Sequence, residues 1–257
     1  AMYSMMNYAD MVLGTWYPEG GMIQIVNAMV SLAKELGVHF EFDAEVTKIE
    51  AVARQVTHVI TSKGMKIEAD IVVGGADYHH LEQKVLDKPF RQYDEAYWSS
   101  RVMAPSSLVF YLGIKGRMKD VLHHNLFFDA DFKIHSEEIY TSKRWPTDPL
   151  FYMSAPSVTD DTIAPDGHEN LFILIPIAPD LEDTEAIREH YFSRVLERIK
   201  MITGEDIQDR IVYKRSYCVK DFKADYHSFQ GNAYGLANTL RQTAFMKPKM
   251  KSRKLDN

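Results

Sequence analysis

The feature that most constrains the fold is an amphipathic segment near the start of the chain, followed directly by strand-like segments. Its apolar residues recur at three- and four-residue spacing: Ile23, Val26, Val30, Ala33 and Leu36. This spacing predicts a helix over 20–36 that ends at Gly37. Residues 38–42, 45–52 and 55–61 have the alternation or the β-branched content of strands. A helix followed by several strands indicates a mixed α/β protein.

Short apolar segments continue through the rest of the chain and predict a second, strand-rich region. Residues 71–75 are apolar on both faces, as in a buried strand, and Asp77 is placed to cap a following helix. Further strands are predicted over 107–114, 150–154, 171–177 and 211–219. One amphipathic helix is predicted over 184–201, with Asp183 as its N-cap and Gly204 at its end.

Composition excludes several classes of function. The 257 residues carry 30 Lys and Arg against 36 Asp and Glu, a formal net charge of −6, so the chain has no overall attraction for nucleic acid. Cys218 is the single cysteine, which excludes an intrachain disulfide and a thiol-based metal cluster. The pairs His79–His80 and His123–His124 do not favour chelation, because adjacent side chains point apart, and we expect no metal. No apolar run is long enough to span a bilayer, and the N-terminal residues do not resemble a signal peptide.

Four stretches of the chain together resemble one enzyme family. They are "GTWYPEGGM" at 14–22, "EVTKIEAV" at 45–52, "YMSAPSVTDDTIAPDGHENLFILIPI" at 152–177, and the segment from Gly231 onward. The pattern resembles the bacterial-type phytoene desaturases, the FAD-dependent carotenoid desaturases within the amine-oxidase-like flavoproteins. The third stretch is the most specific of the four, and the resemblance covers essentially the whole chain.

The resemblance implies a mixed α/β (α+β) fold in three parts. Residues 1–77 would be part of an FAD-binding domain, and residues 78–230 a substrate domain with a mostly antiparallel sheet covered by helices. Residues 231–257 would return toward the FAD-binding domain. Family members open with a G-x-G-x-x-G turn that holds the FAD pyrophosphate and close with a Gly-Asp-type segment, and the sequence contains neither. We therefore expect the chain to be the interior of a longer flavoenzyme.

The missing glycine motif also predicts how tightly the chain binds its cofactor. Backbone N–H groups at a helix N-terminus hold a pyrophosphate through directed hydrogen bonds and the helix dipole. The resemblance implies FAD in the complete protein, whereas we expect this chain alone to bind FAD weakly or not at all.

For the complete protein the resemblance implies an oxidoreductase that acts on CH–CH bonds of a long apolar polyene of the carotenoid type. Related carotenoid isomerases, saturases and oxygenases share the pattern and stay open as alternatives. A further alternative is a non-catalytic module that binds an apolar ligand or docks on a membrane. The family also implies a cytoplasmic protein with peripheral contact to the inner face of the membrane. Neither the oligomeric state nor a catalytic residue can be assigned from the sequence.

Three residues are candidates for contact with the cofactor. Val46 lies where related flavoproteins pair a strand backbone with adenine; the alternative is an ordinary buried strand valine. Gly20 and Gly21 lack a Cβ and would let the backbone approach a bound group closely; the alternative is a plain turn.

Five residues are candidates for lining a substrate channel: Trp16, Tyr17, Phe110, Phe151 and Met153. A long polyene needs apolar walls, which aromatic and methionine side chains supply. Because strand residues alternate between faces, one set would line the channel while the other packs under a helix, and the alternative for each is a place in the core. In the same region Asp160 and Asp161 are expected to form turns or cap helices rather than to act as acids or bases.

Overall fold

The computed structural model describes Met5 and residues 8–257, which include two antiparallel sheets. The first sheet has the order β1–β2–β3, and its strands are Val46–Val52, Gln55–Thr61 and Lys66–Glu68. The hairpin between β1 and β2 turns at Ala53 and Arg54, whose φ angles of 48° and 74° place both in the left-handed region, as in tight hairpin turns. Beside this sheet lies a small core of Ile49, Val56, Val85 and Leu255.

The second sheet has five antiparallel strands in the order β5–β6–β7–β4–β8. The strands are β4 (Ser106–Lys115), β5 (His124–Phe127), β6 (Phe151–Ser154), β7 (His168–Ile177) and β8 (Ile211–Tyr217). β4 and β7 pair without a break in register, from Ser106 opposite Ile177 to Lys115 opposite His168. This central pair fixes which residues share a face of the sheet.

The helices of the described residues are mostly short. They are α1 (Ile23–Glu35), α2 (Tyr78–His80), α3 (Glu95–Ser99), α4 (Phe132–Glu137), α5 (Glu185–Thr203) and α6 (Val219–Tyr226). Single π-helical turns occur at Ala9–Leu13, Leu81–Val85 and Glu138–Ser142. The 3₁₀ turns are Lys88–Phe90, Pro156–Val158, Asp161–Ile163, Gln208–Arg210, Phe229–Gly231 and Ala244–Met246. Within the described part of the chain, no helix combines the length and the apolar character needed to cross a bilayer.

Helix α5 closes one face of the second sheet. Its buried residues Tyr191, Val195 and Ile199 follow one another at four-residue spacing and so form a single stripe. They belong to the same core as alternate residues of β4 and β7, and the rings of Phe110 and Phe192 lie 5.0 Å apart. Burying each side chain of this size contributes about 1.5–3 kcal/mol. The expected mixed α/β architecture, with a mostly antiparallel sheet covered by helices, is confirmed.

The ends of helix α5 show where local sequence signals succeed and where they fail. Gly204 ends the helix with a φ of 75°, as predicted. The N-cap is Thr184, whose hydroxyl accepts from the Ile187 N–H, and the prediction of Asp183 is wrong by one residue. The carboxylate of Asp183 is instead bonded to the guanidinium of Arg188, an ion pair that the local sequence pattern does not reveal.

Two predicted strands are wrong. Residues 38–42 and 71–75 are not part of either sheet, and Ile71 and Val73 are largely exposed. A strand forms when a neighbouring strand offers hydrogen-bond partners, and the described residues place no strand beside these two segments. The sequence does not predict β3 and β5, which form because β2 and β6 lie beside them.

The end of the chain contacts the first sheet. The Val56 N–H donates to Asn257 Oδ1 at 2.7 Å, and Asn257 Nδ2 donates to the Val56 carbonyl at 3.0 Å. Arg54 forms an ion pair with Asp256 at 2.8 Å. Further upstream, the Ala104 N–H donates to the Gly235 carbonyl at 2.8 Å, beside β4. Residues 231–257 therefore pass from the second sheet to the first, while the domain boundaries at 77 and 230 stay predictions.

Candidate functional site

The face of the second sheet opposite α5 is not covered by that helix, and we call it the open face. Because side chains alternate along a strand, Phe110 faces α5 and its neighbour Tyr111 faces the other way. Tyr111 is 41% exposed, whereas Phe110 is fully buried. The register places Tyr111 directly opposite Phe172 of β7 and Arg215 of β8. The open face therefore carries aromatic and polar side chains above an aliphatic core.

Six aromatic rings form a row that crosses the open face. In order they are Tyr17, His123, His124, Tyr152, Phe172 and Tyr111. Centroids of successive rings lie 4.6, 4.3, 5.9, 6.3 and 5.5 Å apart, distances at which the rings are in contact. His124 Nδ1 and the Tyr152 hydroxyl are hydrogen-bonded at 2.6 Å. The row offers a continuous π surface, and every ring in it except Phe172 also carries a hydroxyl group or imidazole nitrogens.

Two hollows border the row. The larger has a volume of about 370 Å³ and is lined in part by Tyr111, Phe172, Tyr213, Pro156 and Ile163. The other has a volume of about 280 Å³ and is lined in part by Leu126, Phe128, Phe132, Tyr152 and Pro176. The larger falls within the range of small-molecule sites, roughly 300–1,000 Å³. Because Tyr152 borders one hollow, Phe172 borders the other and the two rings touch, the open face offers an extended apolar surface.

The glycine turn of segment 14–22 is bonded to a loop of the second sheet. The Gly20 N–H donates to Asp160 Oδ2 at 2.7 Å. The other oxygen, Oδ1, accepts from the Thr162 N–H at 2.9 Å and from the Thr162 hydroxyl at 2.6 Å. A second contact joins Tyr17, edge-on, to the ring of His123. The segment is thereby held at one end of the aromatic row.

The charges at this end of the row follow from its contacts. Hydrogen bonds from Thr162, and then from the backbone of Gly20 and Gly21, hold the pKa of Asp160 below its usual value, so it is a carboxylate at neutral pH. Burial raises the pKa of the Tyr17 phenol, and the charge of Asp160 raises it further. Burial lowers the pKa of His123, as does the neighbouring His124. The row therefore ends in a neutral phenol and a neutral imidazole beside one anion.

The predicted channel residues fall into two groups. Tyr17 ends the aromatic row, and Trp16 beside it is 89% exposed. Phe110, Phe151 and Met153 are instead buried in the core that contains α5. Phe110 and Met153 lie on the side of the sheet that faces α5, because side chains alternate along a strand, and their place in a channel wall stays a prediction. Phe151 also belongs to the core but borders the smaller hollow.

A bound dinucleotide requires main-chain partners for its adenine ring and hydrogen-bond donors for its phosphates. Val46 begins β1, an edge strand of the first sheet, and is 36% exposed. An edge strand has main-chain groups that can pair with a ring, so the arrangement fits the adenine contact, which stays a prediction. Between β1 and residues 250–257 lies a hollow of about 380 Å³ lined by apolar side chains, among them Val56, Val72 and Leu255, and by charged and polar ones, among them Lys251 and Asn257.

Gly20 and Gly21 do not offer free donors to a phosphate. The Gly20 N–H is bonded to Asp160, and the Gly21 N–H donates to the Pro18 carbonyl at 3.1 Å. No neighbour approaches Gly21 more closely than a Cβ would allow, since a Cβ there would lie 3.5 Å from both Ile163 Cγ2 and the Tyr17 hydroxyl, which is ordinary van der Waals contact. The contact of these glycines with a cofactor stays a prediction, and the described residues fit the adenosine side better than the pyrophosphate.

Of the six rings in the aromatic row, Tyr17 was among the channel candidates named from the sequence. Tyr111, Tyr152 and Phe172 alternate with aliphatic or apolar residues that the core takes up. Side-chain chemistry could have indicated which face each residue occupies. A tyrosine hydroxyl favours the accessible face of a sheet, whereas the adjacent Ile, Leu and Met side chains favour the core. The position of His123 beside Tyr17 carried no local signal, because 106 residues separate them in the printed numbering.

The fold combines a five-stranded antiparallel sheet, packed against one helix on one face, with a three-stranded antiparallel meander. The family model described as flavin containing amine oxidoreductase matches residues 1–257, and the chain belongs to this family.

Two of the curated relatives that the chain matches are named as desaturases. The chain is 43% identical over 256 residues to a carotenoid 3,4-desaturase of Haloarcula japonica, covering 100% of this chain and 52% of that protein. It is 30% identical over 266 residues to a zeta-carotene-forming phytoene desaturase of Myxococcus xanthus, covering 100% of this chain and 50% of that protein. The chain thus spans about half the length of the curated relatives it matches.

A solved structure supports the fold. The crystal structure of an oxidoreductase from Methanosarcina mazei superposes with a TM-score of 0.56 at 16% identity, covering 84% of this chain and 47% of that one. At this identity the likeness concerns the fold alone.

Proposed function

We propose that this chain supplies the substrate-binding part of an FAD-dependent oxidoreductase that desaturates CH–CH bonds of a long apolar polyene of the carotenoid class. The observation that carries the proposal is the aromatic row of the open face, with a hollow on each side. An extended conjugated chain presents only apolar and π surface, so contact with such a row satisfies it without hydrogen bonds. The names of the two relatives support the substrate class.

Within this proposal the chain's residues bind and orient the substrate. Tyr111 and Phe172 support one side of the polyene, and Tyr17 limits its position at the end of the row. A bound flavin would supply the two-electron acceptor for the hydrogen removed from the C–C unit. The aromatic and aliphatic side chains that line the hollows would disfavour water beside a bound polyene. No described residue is assigned as an acid or a base.

The proposal is tested with the flavin-loaded full-length protein that contains this chain. Incubated with phytoene or a related carotenoid, it should yield a product lighter by two hydrogens for each step, with absorption shifted to longer wavelength. A product of unchanged mass would indicate an isomerase, and a product with added oxygen an oxygenase. Binding of the polyene without any product would favour the non-catalytic module.

We propose that this chain alone binds FAD weakly. The support is that the N–H groups of Gly20 and Gly21 already have acceptors within the chain. Titration calorimetry of the 257-residue chain with FAD should show a dissociation constant far weaker than that of the full-length protein. Equal affinities would contradict this.

We also propose peripheral contact of this cytoplasmic protein with a membrane, from which an apolar substrate is taken. The support is a cluster of exposed apolar side chains around the smaller hollow, namely Leu126, Phe128 and Phe132. The double variant Phe128→Ser and Phe132→Ser should co-sediment less with phosphatidylglycerol vesicles than the wild type. Phe245→Ser, which changes an exposed phenylalanine elsewhere, is the control. Equal sedimentation of all three proteins would reject this surface.

A further inference from the structure

Asp160 differs from an ordinary loop carboxylate. It lies between two 3₁₀ turns, yet it is only 7% exposed. Both of its oxygens accept hydrogen bonds, one from Gly20 at a sequence separation of 140 residues and the other from Thr162. A local capping role accounts for the bonds from Thr162 but not for the bond from Gly20. The long-range bond is therefore a separate feature that requires its own explanation.

The loop that carries Asp160 is linked to the 17–21 turn by two direct contacts and by one contact through His123. Thr159 Oγ1 lies 2.7 Å from His123 Nδ1, and the ring of His123 is in edge-on contact with the ring of Tyr17. Asp160 binds the Gly20 N–H, and Ile163 Cγ2 lies beside Gly21, 3.5 Å from where a Cβ would stand. Each contact comes from a different residue of the loop. Together they fix the turn relative to the open face.

The segment held in this way has little internal rigidity. Gly20 and Gly21 have φ angles of 81° and 90°, in the region that glycine adopts freely. Helix α1, which follows, has no buried residue among those described and so does not anchor the turn by packing. The carboxylate therefore selects one conformation of a flexible glycine pair, and charge-assisted hydrogen bonds to backbone N–H groups are well suited to that role.

We propose that Asp160 is a positioning residue that holds the Gly20–Gly21 turn so that Tyr17 closes the histidine end of the aromatic row. This inference rests on the proposed function, in which the row carries the polyene. The carboxylate does not touch the substrate. It determines where the end of the substrate stops, and thus which C–C unit is presented for reaction.

The adjacent Asp161 provides a matched control. Its side chain is 91% exposed and pairs with Arg117 at 2.8 Å, with no bond to the glycine turn among the described contacts. Asp160→Asn keeps an acceptor oxygen and loses the charge, whereas Asp160→Ala removes both. A positioning role predicts that the glycine turn is held most firmly in the wild type, less firmly in Asp160→Asn and least firmly in Asp160→Ala. Asp161→Ala should be close to the wild type.

The first arm of the test is amide hydrogen exchange of the peptide covering residues 16–24. Loss of a hydrogen bond to a charged group should speed exchange at Gly20 about tenfold or more in Asp160→Ala, and less in Asp160→Asn. Asp161→Ala should change it by less than about twofold. Unchanged exchange in Asp160→Ala, with far-ultraviolet circular dichroism like that of the wild type, would overturn the inference.

The second arm uses the flavin-loaded full-length protein. Asp160→Ala should lower kcat about tenfold and broaden the distribution of product positions, since misplacement of a substrate costs rate even when binding persists. KM and the flavin absorption spectrum should change little. Asp160→Asn should restore part of kcat. A variant with wild-type kcat and product distribution would reject the positioning role, whereas a wild-type protein without desaturase activity would reject the proposed function and leave the exchange result standing.

Discussion

Tyr111 and Phe172 stand directly opposite each other on β4 and β7, and their rings touch edge-on at 5.5 Å on the open face. The pair lies on the opposite side of the sheet from Phe110 and Ile173, which are fully buried. One residue step along each strand therefore separates the core from the surface proposed to carry the substrate.

Phe172→Ala should weaken binding of an apolar polyene while leaving the fold intact. The side chain borders the larger hollow and contacts Tyr111 and Tyr152, so its removal interrupts the row between these two rings. Loss of an aromatic contact of roughly 0.5–1.5 kcal/mol corresponds to an affinity about twofold to tenfold lower. Quenching of protein fluorescence by a water-dispersed carotenoid measures this. Phe245→Ala is the control, and an equal effect of both changes would argue against the open face.

The sequence alone predicts those elements whose determining residues lie close together in the chain. The hairpin residues Ala53 and Arg54 separate two β-branched segments, and β2 forms over the predicted residues. The apolar stripe of α5 predicts its position and its end at Gly204, because both depend on residues within a few turns.

The sequence alone does not predict features that depend on contacts between residues far apart in the chain. Alternation on β4 and β6 predicts two faces but does not say which face α5 covers, so the burial of Phe110 and Met153 beneath α5 could not be predicted. Residues 38–42 have strand propensity but no neighbouring strand among the described residues. The bond between Gly20 and Asp160 joins residues far apart in sequence, so the expectation that Asp160 serves a local turn described only half of its contacts.

Arg188→Ala should destabilise the fold strongly. The guanidinium is bonded to both oxygens of Asp183 at 2.7 Å and to Asp221 at 2.7 Å, and its removal leaves the buried Asp183 charge without its partner. Breaking a buried ion pair from one side costs about 3–5 kcal/mol. Urea denaturation measures the loss in the free energy of unfolding.

Lys200→Ala is the control for Arg188→Ala, because the Lys200–Asp206 pair is exposed and such pairs contribute about 0–1 kcal/mol. Similar losses in the two variants would show that the Arg188 network is not a stabilising centre.

Stability should fall as the pH drops below about 6.5, partly through His135. Its Nδ1 accepts from the Leu150 N–H at 3.0 Å, and Nε2 lies 2.9 Å from the Pro176 carbonyl, so the folded site holds a neutral imidazole. Burial lowers the pKa of His135 from its ordinary value of 6.5. Below that value the unfolded chain binds a proton that the folded chain does not, so the free energy of unfolding decreases by up to about 1.4 kcal/mol per pH unit for one such group.

His135→Gln keeps one donor and one acceptor and removes the titration. Urea denaturation between pH 7.5 and pH 5 should give a shallower slope of stability against pH for the variant than for the wild type. His80 and His123, whose pKa values burial also lowers, should retain the rest of the slope. Identical slopes would show that His135 does not contribute.

Gly231→Ala should destabilise the contact between the 3₁₀ turn before the final segment and α6. Gly231 has a φ of 63°, and a Cβ there would lie 2.7 Å from both Val219 Cγ1 and the Val219 carbonyl oxygen. The left-handed conformation alone costs an alanine roughly 1–2 kcal/mol, and the collision with backbone adds about 1–3 kcal/mol. Gly167→Ala separates the two effects, because Gly167 has a similar φ of 68° with nothing within 4 Å of the added Cβ. Thermal and urea denaturation of both variants should therefore show a larger loss at Gly231, and equal losses would mean that the turn moves away from Val219 without cost.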